Sequence, residues 1–552
     1  MRELVALTRR VVVAAAITGV LVGAVVGGFE RLVDGEMLHW LLTAPLEVQV
    51  VAPFVGLALS AIALRWLGAS ATSATTDEYL RAFHGLDARF DGRAFFGRMA
   101  AAAATLGGGG ALGFEGPSVY FGAGIGQSLG TRVRALLARD DVRLLLVAGV
   151  AAGVGAIFKA PATGAVFALE VPFRNELARR SLLPALVGAA SGYLTFVAIN
   201  GTAPLFRVEG APLVGTRDLA GAALVGVACG GGARVFAWAM RQAKSVADRV
   251  TTYWLVPFAG AALGGLVVAS HAAFDGRAFS LGTGYEAVSY VFNDDATIWL
   301  LLLLGTIRVV ATFATVAGSG TGGLFIPLVV QGAITGQAIG LLLDSSNPTL
   351  YPVLGIAAFL GAGYGVPLAA VMFVAEATGR PGFVVPGLIA AVFGQLLGAS
   401  TVTTYQRDER LGHLERRAEL PISSAMITDV ATAGPADSVA ELFTEHVALA
   451  RRRAIPVVDD DRSYLGMVLL DDVLSLDNAV WIGTPVSEIM RTDLTSIDPD
   501  STVASAITAL AKSPVDHLAV VHPSGRLYGL VSQESILDLD ALLDRLDPEA
   551  PG

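Results

Sequence analysis

The chain contains one cysteine among its 552 residues, so no disulfide can form within it. Cys229 lies in an apolar run, where a free cysteine ordinarily serves as a small buried side chain. Charged residues are also scarce, at 16% of the chain, whereas 54% of the residues are hydrophobic. This balance is too apolar for an ordinary soluble protein of this length and indicates a membrane protein.

The seven histidines exclude one enzyme class. None of them forms the pair, four residues apart with an adjacent glutamate, that a membrane zinc protease requires. A divalent-cation transporter would need several acidic ligands along its apolar spans, and these spans hold Glu115 and Glu170 but little else. We therefore expect no enzymatic activity and no metal site, and cation transport stays a distant alternative.

Apolar segments that suit a bilayer recur through residues 1–408. They run over 11–28, 48–64, 144–158, 182–198, 254–270, 298–317, 324–343 and 353–398. Gly and Pro interrupt several of them, which predicts tilted or half-spanning helices buried among their neighbours. Arg9 and Arg10 precede the first run and predict a cytoplasmic N-terminus.

The composition changes at residue 421. From there onward 8 Lys or Arg stand against 21 Asp or Glu, a net charge of −13, whereas the preceding part carries +3. The acidic tail argues against nucleic-acid binding and indicates a soluble domain. We predict a membrane domain at 1–408, a linker at 409–420, two tail units at 421–480 and 481–545, and a terminal stretch at 546–552.

A twenty-residue pattern occurs twice in the membrane part, at 98–117 and 308–327. The matching pairs are Arg98/Arg308, Ala101/Ala311, Ala104/Ala314, Thr105/Thr315, Gly108/Gly318, Gly110/Gly320, Gly113/Gly323 and Pro117/Pro327. A duplicated Gly-rich break inside apolar sequence is typical of transporter substrate sites, where broken helices direct their N-terminal dipoles at an anion. Arg98 and Arg308 are interpreted either as helix-end cations or as a positive field that attracts anions.

Glu115 is the charged residue of an apolar stretch that runs over 99–127. A carboxylate there is costly unless it is compensated, so its default interpretation is functional, with a surface-loop glutamate as the alternative. Gly113 and Gly116 allow close backbone approach, and Pro117 suits the first turn of a helix whose free N–H groups favour negative charge.

The tail contains a weaker repeat. Each unit has a Met-containing opening, a helix (438–447 or 502–512), an apolar strand (454–458 or 517–521) and a Gly-containing strand near 464–468 or 528–531. This order resembles a pair of CBS domains, an α/β module that often senses adenine nucleotides. The resemblance implies Asp472 in the first unit and Ser532 in the second as candidate nucleotide contacts. Nucleotide-binding CBS domains pair a hydroxyl with an Asp. The first unit lacks the hydroxyl and the second lacks the Asp, so a purely structural tail remains an alternative.

Gly113-Phe114-Glu115-Gly116-Pro117 resembles the glutamate signature of the CLC family of voltage-gated chloride channels and chloride/proton exchangers. Gly323-Leu324-Phe325-Ile326-Pro327 resembles the family's second filter signature. The resemblance implies an all-α polytopic membrane domain of two inverted-topology repeats with broken helices, followed by a cytoplasmic CBS pair. It also implies a homodimer in the lipid of the cell membrane, with one pathway per subunit for chloride or a similar anion and no cofactor besides a nucleotide in the tail.

In that picture Glu115 is the gate, whose carboxylate competes with the anion until a proton neutralises it. Both signatures line the pathway, and Tyr405 resembles the tyrosine that contacts the central anion, although an interfacial anchor is an alternative. The first filter signature is absent near residues 73–77, where we expect a hydroxyl of Ser73 or Thr75 to bind the anion instead. Phe114 stands where relatives often have Arg, and the sequence offers no reason for it.

The proton path is the second departure from the family pattern. The residues 158–171 resemble the helix that carries paired glutamates in exchangers, but the second of the pair is Val171 here, which cannot carry a proton. Glu170 remains as a candidate for the path or as a structural carboxylate. The sequence therefore favours a gated chloride channel slightly over a chloride/proton antiporter, which stays open as the alternative.

Overall fold

The computed structural model describes two separate compact units, 1–408 and 409–552, and each is treated by itself. The described residues are 2–69, 71–84, 90–132, 141–174, 177–206, 208, 214–250, 252–293, 296–345, 347–397, 401–406, 420–448, 454–513 and 515–546. The predicted linker at 409–420 and the terminal stretch at 546–552 therefore fall almost wholly outside the described residues.

The first unit is helical. Its helices are α1 (Arg2–Glu30), α2 (His39–Thr43), α3 (Leu46–Ile62), α4 (Thr76–His84), α5 (Gly92–Gly107), α6 (Glu115–Arg132), α7 (Asp141–Ile157), α8 (Pro161–Glu170), α9 (Leu182–Asn200), α10 (Thr216–Arg249), α11 (Thr252–Ala273), α12 (Tyr285–Asn293), α13 (Ile298–Ala317), α14 (Phe325–Leu342), α15 (Leu350–Tyr364), α16 (Pro367–Thr378) and α17 (Val384–Gln395). Wider π-type turns, Arg31–Leu38 and Ala63–Leu67, extend α1 and α3. Short 3₁₀ turns, Arg179–Ser181 and Pro381–Phe383, precede α9 and α17.

Among the described residues, seven helical segments are long and apolar enough to cross a membrane. They are Arg9–Thr43, Leu46–Leu67, Arg179–Asn200, Thr216–Arg249, Trp254–Ala273, Ile298–Ala317 and Phe325–Leu342. The helices α8 and α16 have only 10 and 12 residues, too few to span the bilayer core. Together with these short helices, the seven spans confirm the predicted membrane domain of broken helices.

The two halves of this unit follow one order of elements. The series α5 to α8 recurs as α13 to α16, with a Gly-rich turn between the first two helices of each series. The contact between the second and third helices is also the same: Gly122 meets the backbone of Gly149 in the first half, and Gly332 meets that of Gly355 in the second. Glycine pairs let helix backbones approach closely, which is a common way to pack helices in membranes.

The second unit is the predicted α/β tail. Strands β1 (Ala454–Val458) and β2 (Tyr464–Leu469) pair antiparallel, while β3 (Ser496–Ile497), β4 (His517–Val521) and β5 (Leu527–Ser532) form a sheet in that order. The helices are α18 (Val439–Leu442), α19 (Leu470–Leu474), α20 (Val503–Lys512) and α21 (Gln533–Leu546). A π-type turn, Phe443–Ala448, extends α18, and 3₁₀ turns lie at Ile422–Ser424, Asn478–Val480 and Val486–Glu488.

The opening segments of the two tail units are exchanged. Ile427, from the start of the first unit, bridges to Leu530 on β5 of the second. Arg491, from the start of the second unit, bridges to Met467 on β2 of the first. Each hydrophobic core therefore contains residues of both units, which makes the pair one folding module rather than two tandem domains.

Candidate functional site

The two Gly-rich turns of the repeat meet face to face. Gly113 and Gly323 exchange backbone hydrogen bonds, with N···O distances of 2.9 and 2.8 Å in the two directions. The repeated threonines brace the same junction, because Thr105 Oγ1 accepts from the Thr321 N–H at 3.0 Å and Thr315 Oγ1 accepts from the Ala111 N–H at 3.1 Å. The residues that the repeat shares therefore have matching roles about a local pseudo-two-fold axis.

Each turn leads into a helix that starts at this junction. Glu115 is the first residue of α6, and Phe325, its partner in the repeat, is the first residue of α14. Glu115 is 1% exposed, and its carboxylate accepts a hydrogen bond from the N–H of Phe325. The free N–H groups of a helix start form a ready anion site, and here the protein's own carboxylate occupies it.

Gly113 and Gly323 are required by this arrangement. A Cβ atom built on either glycine would overlap the Glu115 carboxylate. Any other residue at these positions would therefore displace the carboxylate or separate the two turns. The duplicated glycines thus make room for an anionic group between the two helix starts.

The repeated arginines are buried braces rather than helix-end cations. Arg98 donates to the Thr72 carbonyl at 2.9 Å and to the Tyr120 hydroxyl at 2.8 Å, and it approaches Glu78 at 3.4 Å. Arg308 is 1% exposed and donates at 2.8–3.2 Å to the carbonyls of residues 279, 281, 282 and 283. Each arginine therefore fixes the loop that precedes a short helix, α4 in the first half and α12 in the second.

A cavity of about 550 Å³ reaches the start of α14. The sequence-predicted residues Ser73, Thr75, Gly323, Leu324 and Tyr405 line it, together with Thr76 and Tyr364, which the sequence did not single out. Its charged lining has four basic and two acidic side chains: Arg81, Arg241, Lys244, Arg249, Asp77 and Asp248. Lys244 and Asp77 pair at 2.8 Å, so the remaining lining is net positive, which favours anions.

The other predicted residues of the first signature lie in the packed interior. Gly116 faces Thr75 and the backbone of Gly322, and Thr75 donates to the Gly322 carbonyl at 3.3 Å. Phe114 is 1% exposed and packs edge-on against Phe29 of α1, with ring centroids 6.1 Å apart. A phenylalanine here therefore fills an apolar contact between α1 and the site.

The remaining predicted residues belong to the starts of α6 and α14. Pro117 lies in the first turn of α6, and Pro327 lies in the first turn of α14. Phe325 is fully buried, with its ring centroid 4.3 Å from that of Phe158 and 4.9 Å from that of Phe373. The ring anchors the start of α14, while the backbone N–H of the same residue faces the carboxylate.

Glu170 has a structural partner on another helix. Its two carboxylate oxygens accept from the N–H groups of Leu368 and Ala369 at 3.1 and 2.9 Å, and so cap the start of α16. Glu376 of α16 returns the contact, accepting from Ala162 N–H, Thr163 N–H and Thr163 Oγ1 at 3.0, 2.7 and 2.7 Å at the start of α8. Two half-spanning helices are thus locked by reciprocal caps.

Removing either cap is expected to destabilise the protein without stopping transport. Glu376→Ala leaves three donors without their acceptor, at about 1–3 kcal/mol for each unsatisfied group, and Glu170→Ala leaves two. The thermal unfolding temperature of the purified protein should therefore be lower for both variants than for the wild type, and lowest for Glu376→Ala. A Glu170→Ala protein that unfolds like the wild type yet no longer moves protons would instead make Glu170 a proton carrier.

The two candidate nucleotide contacts of the tail already have partners within the chain. Both Asp472 oxygens accept from the Arg491 guanidinium, at N···O distances of 2.6–3.1 Å. Ser532 Oγ accepts from the Ser535 N–H at 3.1 Å, which caps the start of α21. Throughout the described residues, no group of three or more His, Cys, Asp or Glu side chains is arranged to hold a metal ion.

Comparison with protein families gives two matches. The voltage-gated chloride channel family matches residues 54–399, and the CBS domain matches residues 422–478 and 486–541. The first match covers more than half of the chain and includes both Gly-rich turns. The second covers both units of the tail.

Individual proteins agree with these matches. An uncharacterized protein of Methanocaldococcus jannaschii is 31% identical over 309 residues, which are 55% of this chain and 75% of that protein. The H(+)/Cl(-) exchange transporter ClcA of Salmonella paratyphi A is 27% identical over 308 residues, which are 53% of this chain and 63% of the transporter. The crystal structure of a CLC-type fluoride/proton antiporter shares the fold with a TM-score of 0.65 and 21% identity, covering 73% of this chain and 98% of the antiporter.

Proposed function

Because this chain belongs to the voltage-gated chloride channel (CLC) family, we propose that it moves chloride across a membrane in exchange for protons, with Glu115 serving both ions. The observation that carries the proposal is the buried Glu115 carboxylate, which accepts from the Phe325 N–H at the start of α14. A carboxylate and chloride repel each other at one desolvated position, so an anion enters only when a proton has neutralised the carboxylate. Each anion passage is then linked to a proton.

The relatives favour exchange over passive conduction. One named relative is a chloride/proton exchange transporter, and one structural neighbour is a fluoride/proton antiporter. Val171 argues against exchange, because a buried valine occupies the position at which exchangers often carry a second glutamate. We propose that protons reach Glu115 through the cavity, whose end is lined by the hydroxyls of Thr75, Thr76 and Tyr364, rather than through residue 171. A gated chloride channel is the second candidate.

Chloride-driven proton movement tests this proposal. Purified protein is placed in liposomes with a chloride gradient, and a pH electrode follows the protons. Exchange predicts uphill proton movement in liposomes that contain the protein, but not in empty liposomes. This movement should stop when the chloride gradient is removed. Rapid chloride efflux with no proton movement would favour the channel, and no chloride flux at all would reject both and direct attention to fluoride and nitrate.

The oligomeric state and the membrane orientation of the proposed transporter are also expected to follow the family pattern. We propose a homodimer in the lipid of the cell membrane, with the N-terminus and the tail on the cytoplasmic side. Arg9 and Arg10 ahead of the first apolar run support this orientation. Cross-linking in native membranes tests the dimer, and protease access to the tail in inside-out vesicles tests the orientation.

We further propose that the tail works without an adenine nucleotide. The partners of Asp472 and Ser532 support this, because a nucleotide would have to displace Arg491 and a helix cap. Adding ATP is therefore expected to leave the unfolding temperature of the full-length protein unchanged, because only a ligand that binds the folded state raises this temperature. An unfolding temperature that rises with ATP concentration in the wild type, but not in Asp472→Ala, would establish a nucleotide site.

A further inference from the structure

The helix α4 leads from the junction of the two Gly-rich turns toward the open side of the cavity. At its inner end, Thr75 donates to the Gly322 carbonyl at 3.3 Å, and Thr75 and Thr76 are both buried. Arg81 follows Thr76 by about 7.5 Å along the helix axis, and 52% of its side chain is exposed. Thr75, Thr76 and Arg81 all line the cavity. An anion that moves through the cavity toward the junction therefore meets the Arg81 guanidinium before it reaches the buried hydroxyls.

Two partners hold the Arg81 guanidinium against the cavity wall. Its Nη1 donates to Glu78 Oε1 at 3.0 Å, and its Nη2 donates to the Tyr405 hydroxyl at 2.7 Å. The guanidinium also lies over the Tyr405 ring, 4.7 Å from the ring centroid. Glu78 is fixed in turn by the buried Arg98, which approaches the same carboxylate oxygen at 3.4 Å. The position of the Arg81 cation is therefore set before an anion arrives, which lowers the entropic cost of binding the anion.

This group of side chains retains both a positive charge and hydrogen-bond donors for a ligand. Arg98, Glu78 and Arg81 together carry one net positive charge, because a single carboxylate serves two arginines. A guanidinium has five N–H donors, and among the described residues Arg81 directs two of them at Glu78 and Tyr405. Arg81 can therefore bind chloride or a similar small anion through its other donors while it keeps both of these partners.

We propose that Arg81 is the residue that captures anions at the entrance of this cavity, and that Glu78 and Tyr405 are positioning residues that hold it there. The proposal rests on the anion transport proposed above and adds a residue that binds the anion before the anion reaches Glu115. Tyr405, which the family resemblance assigns to the central anion, then acts on the anion through Arg81, from which its hydroxyl oxygen already accepts a hydrogen bond.

Matched substitutions test the role of Arg81. Arg81→Gln and Arg249→Gln each remove one positive charge from the cavity lining. Uptake of radioactive chloride into liposomes that contain the full-length protein is measured over a range of chloride concentrations. Arg81→Gln is expected to raise the chloride concentration for half-maximal uptake about three- to fivefold, the effect of a half-exposed ion pair, with a smaller change in the maximal rate. Arg249→Gln removes the same charge without this contact and should raise that concentration less than about twofold.

A double substitution separates positioning from direct contact. Tyr405→Phe alone should raise the chloride concentration for half-maximal uptake about twofold, because Arg81 loses one of the acceptors that hold it in place. In the background of Arg81→Gln the same change should add nothing, since effects that act through one group are not additive. A further rise when Tyr405→Phe is added to Arg81→Gln would show that Tyr405 contacts the anion itself, and would overturn its assignment as a positioning residue.

The sign of the charge at residue 81 supplies a readout that a structural role would not move. Cys229 is the single cysteine of the chain and is buried, so Arg81→Cys can be modified by membrane-impermeant thiosulfonate reagents, with the treated wild type as control. A trimethylammonium reagent should lower the chloride concentration for half-maximal uptake by Arg81→Cys, whereas a sulfonate reagent should raise it. Equal effects of the two reagents, or equal effects of Arg81→Gln and Arg249→Gln, would overturn the proposal. A wild-type protein that takes up no anion would reject the proposed function itself, which is a separate result.

Discussion

Replacing Glu115 by glutamine is expected to reduce proton movement to background while chloride continues to cross the membrane. Glutamine has nearly the same shape but carries no negative charge and neither binds nor releases a proton near neutral pH. In the wild type, acidification neutralises the carboxylate and releases the Phe325 N–H at the start of α14, so chloride flux should rise as pH falls. In Glu115→Gln the side chain is neutral at every pH, and chloride flux should become nearly independent of pH.

A second buried glutamate provides the control for this experiment. Glu170 also accepts two backbone hydrogen bonds at a helix start, but it does so at α16, away from the junction of Gly113 and Gly323. Glu170→Gln should therefore retain both proton movement and the pH dependence of chloride flux. If Glu115→Gln keeps the wild-type pH dependence, the gating role assigned to Glu115 is wrong.

Replacing Arg308 by methionine is expected to prevent the protein from folding to a stable state. The guanidinium is fully buried and supplies donors to four carbonyl oxygens of the loop before α12. Each buried carbonyl that loses its donor costs about 1–3 kcal/mol, and methionine supplies no donor. We expect loss of the monodisperse peak in size-exclusion chromatography, or thermal unfolding at a much lower temperature.

The exposed Arg65 offers a comparison in which the same atoms are removed at the surface. Arg65→Met should change the unfolding temperature little, because the exposed Arg65 side chain is not the buried donor that holds a loop in place. Arg308→Lys should be intermediate, since a lysine keeps the charge but cannot reach four carbonyls with a planar fork of donors. Normal stability of Arg308→Met would show that the loop before α12 is held by other contacts.

Much of this architecture is predictable because it is repeated or periodic. The duplicated Arg, Thr and Gly positions predict two equivalent turns, and the structure shows Thr105 and Thr315 in matching contacts at one junction. In the tail, the apolar runs at 454–458 and 517–521 coincide with β1 and β4. The strand patterns depend on neighbours within a few residues, whereas the threonine contacts were predictable only because the sequence is duplicated.

Other features depend on contacts between distant segments, which a single sequence does not reveal. The helix α10 was not predicted as a span, because its Gly-rich centre and charged ends weaken the apolar signal. The reciprocal caps of Glu170 and Glu376 join residues that are about two hundred positions apart. Tyr364 lies in an apolar run with no motif around it, and only folding brings it to the wall of the cavity beside Thr76 and Leu324.

Anomalous scattering from bromide can locate a transported anion in crystals of the wild type and of Glu115→Gln. Sharing of one position by carboxylate and anion predicts a bromide peak within hydrogen-bonding distance of the Phe325 and Ile326 N–H groups in Glu115→Gln. It predicts no peak there in the wild type at alkaline pH. Bromide bound to these groups beside an undisplaced Glu115 carboxylate would show that the carboxylate and the anion do not share one position.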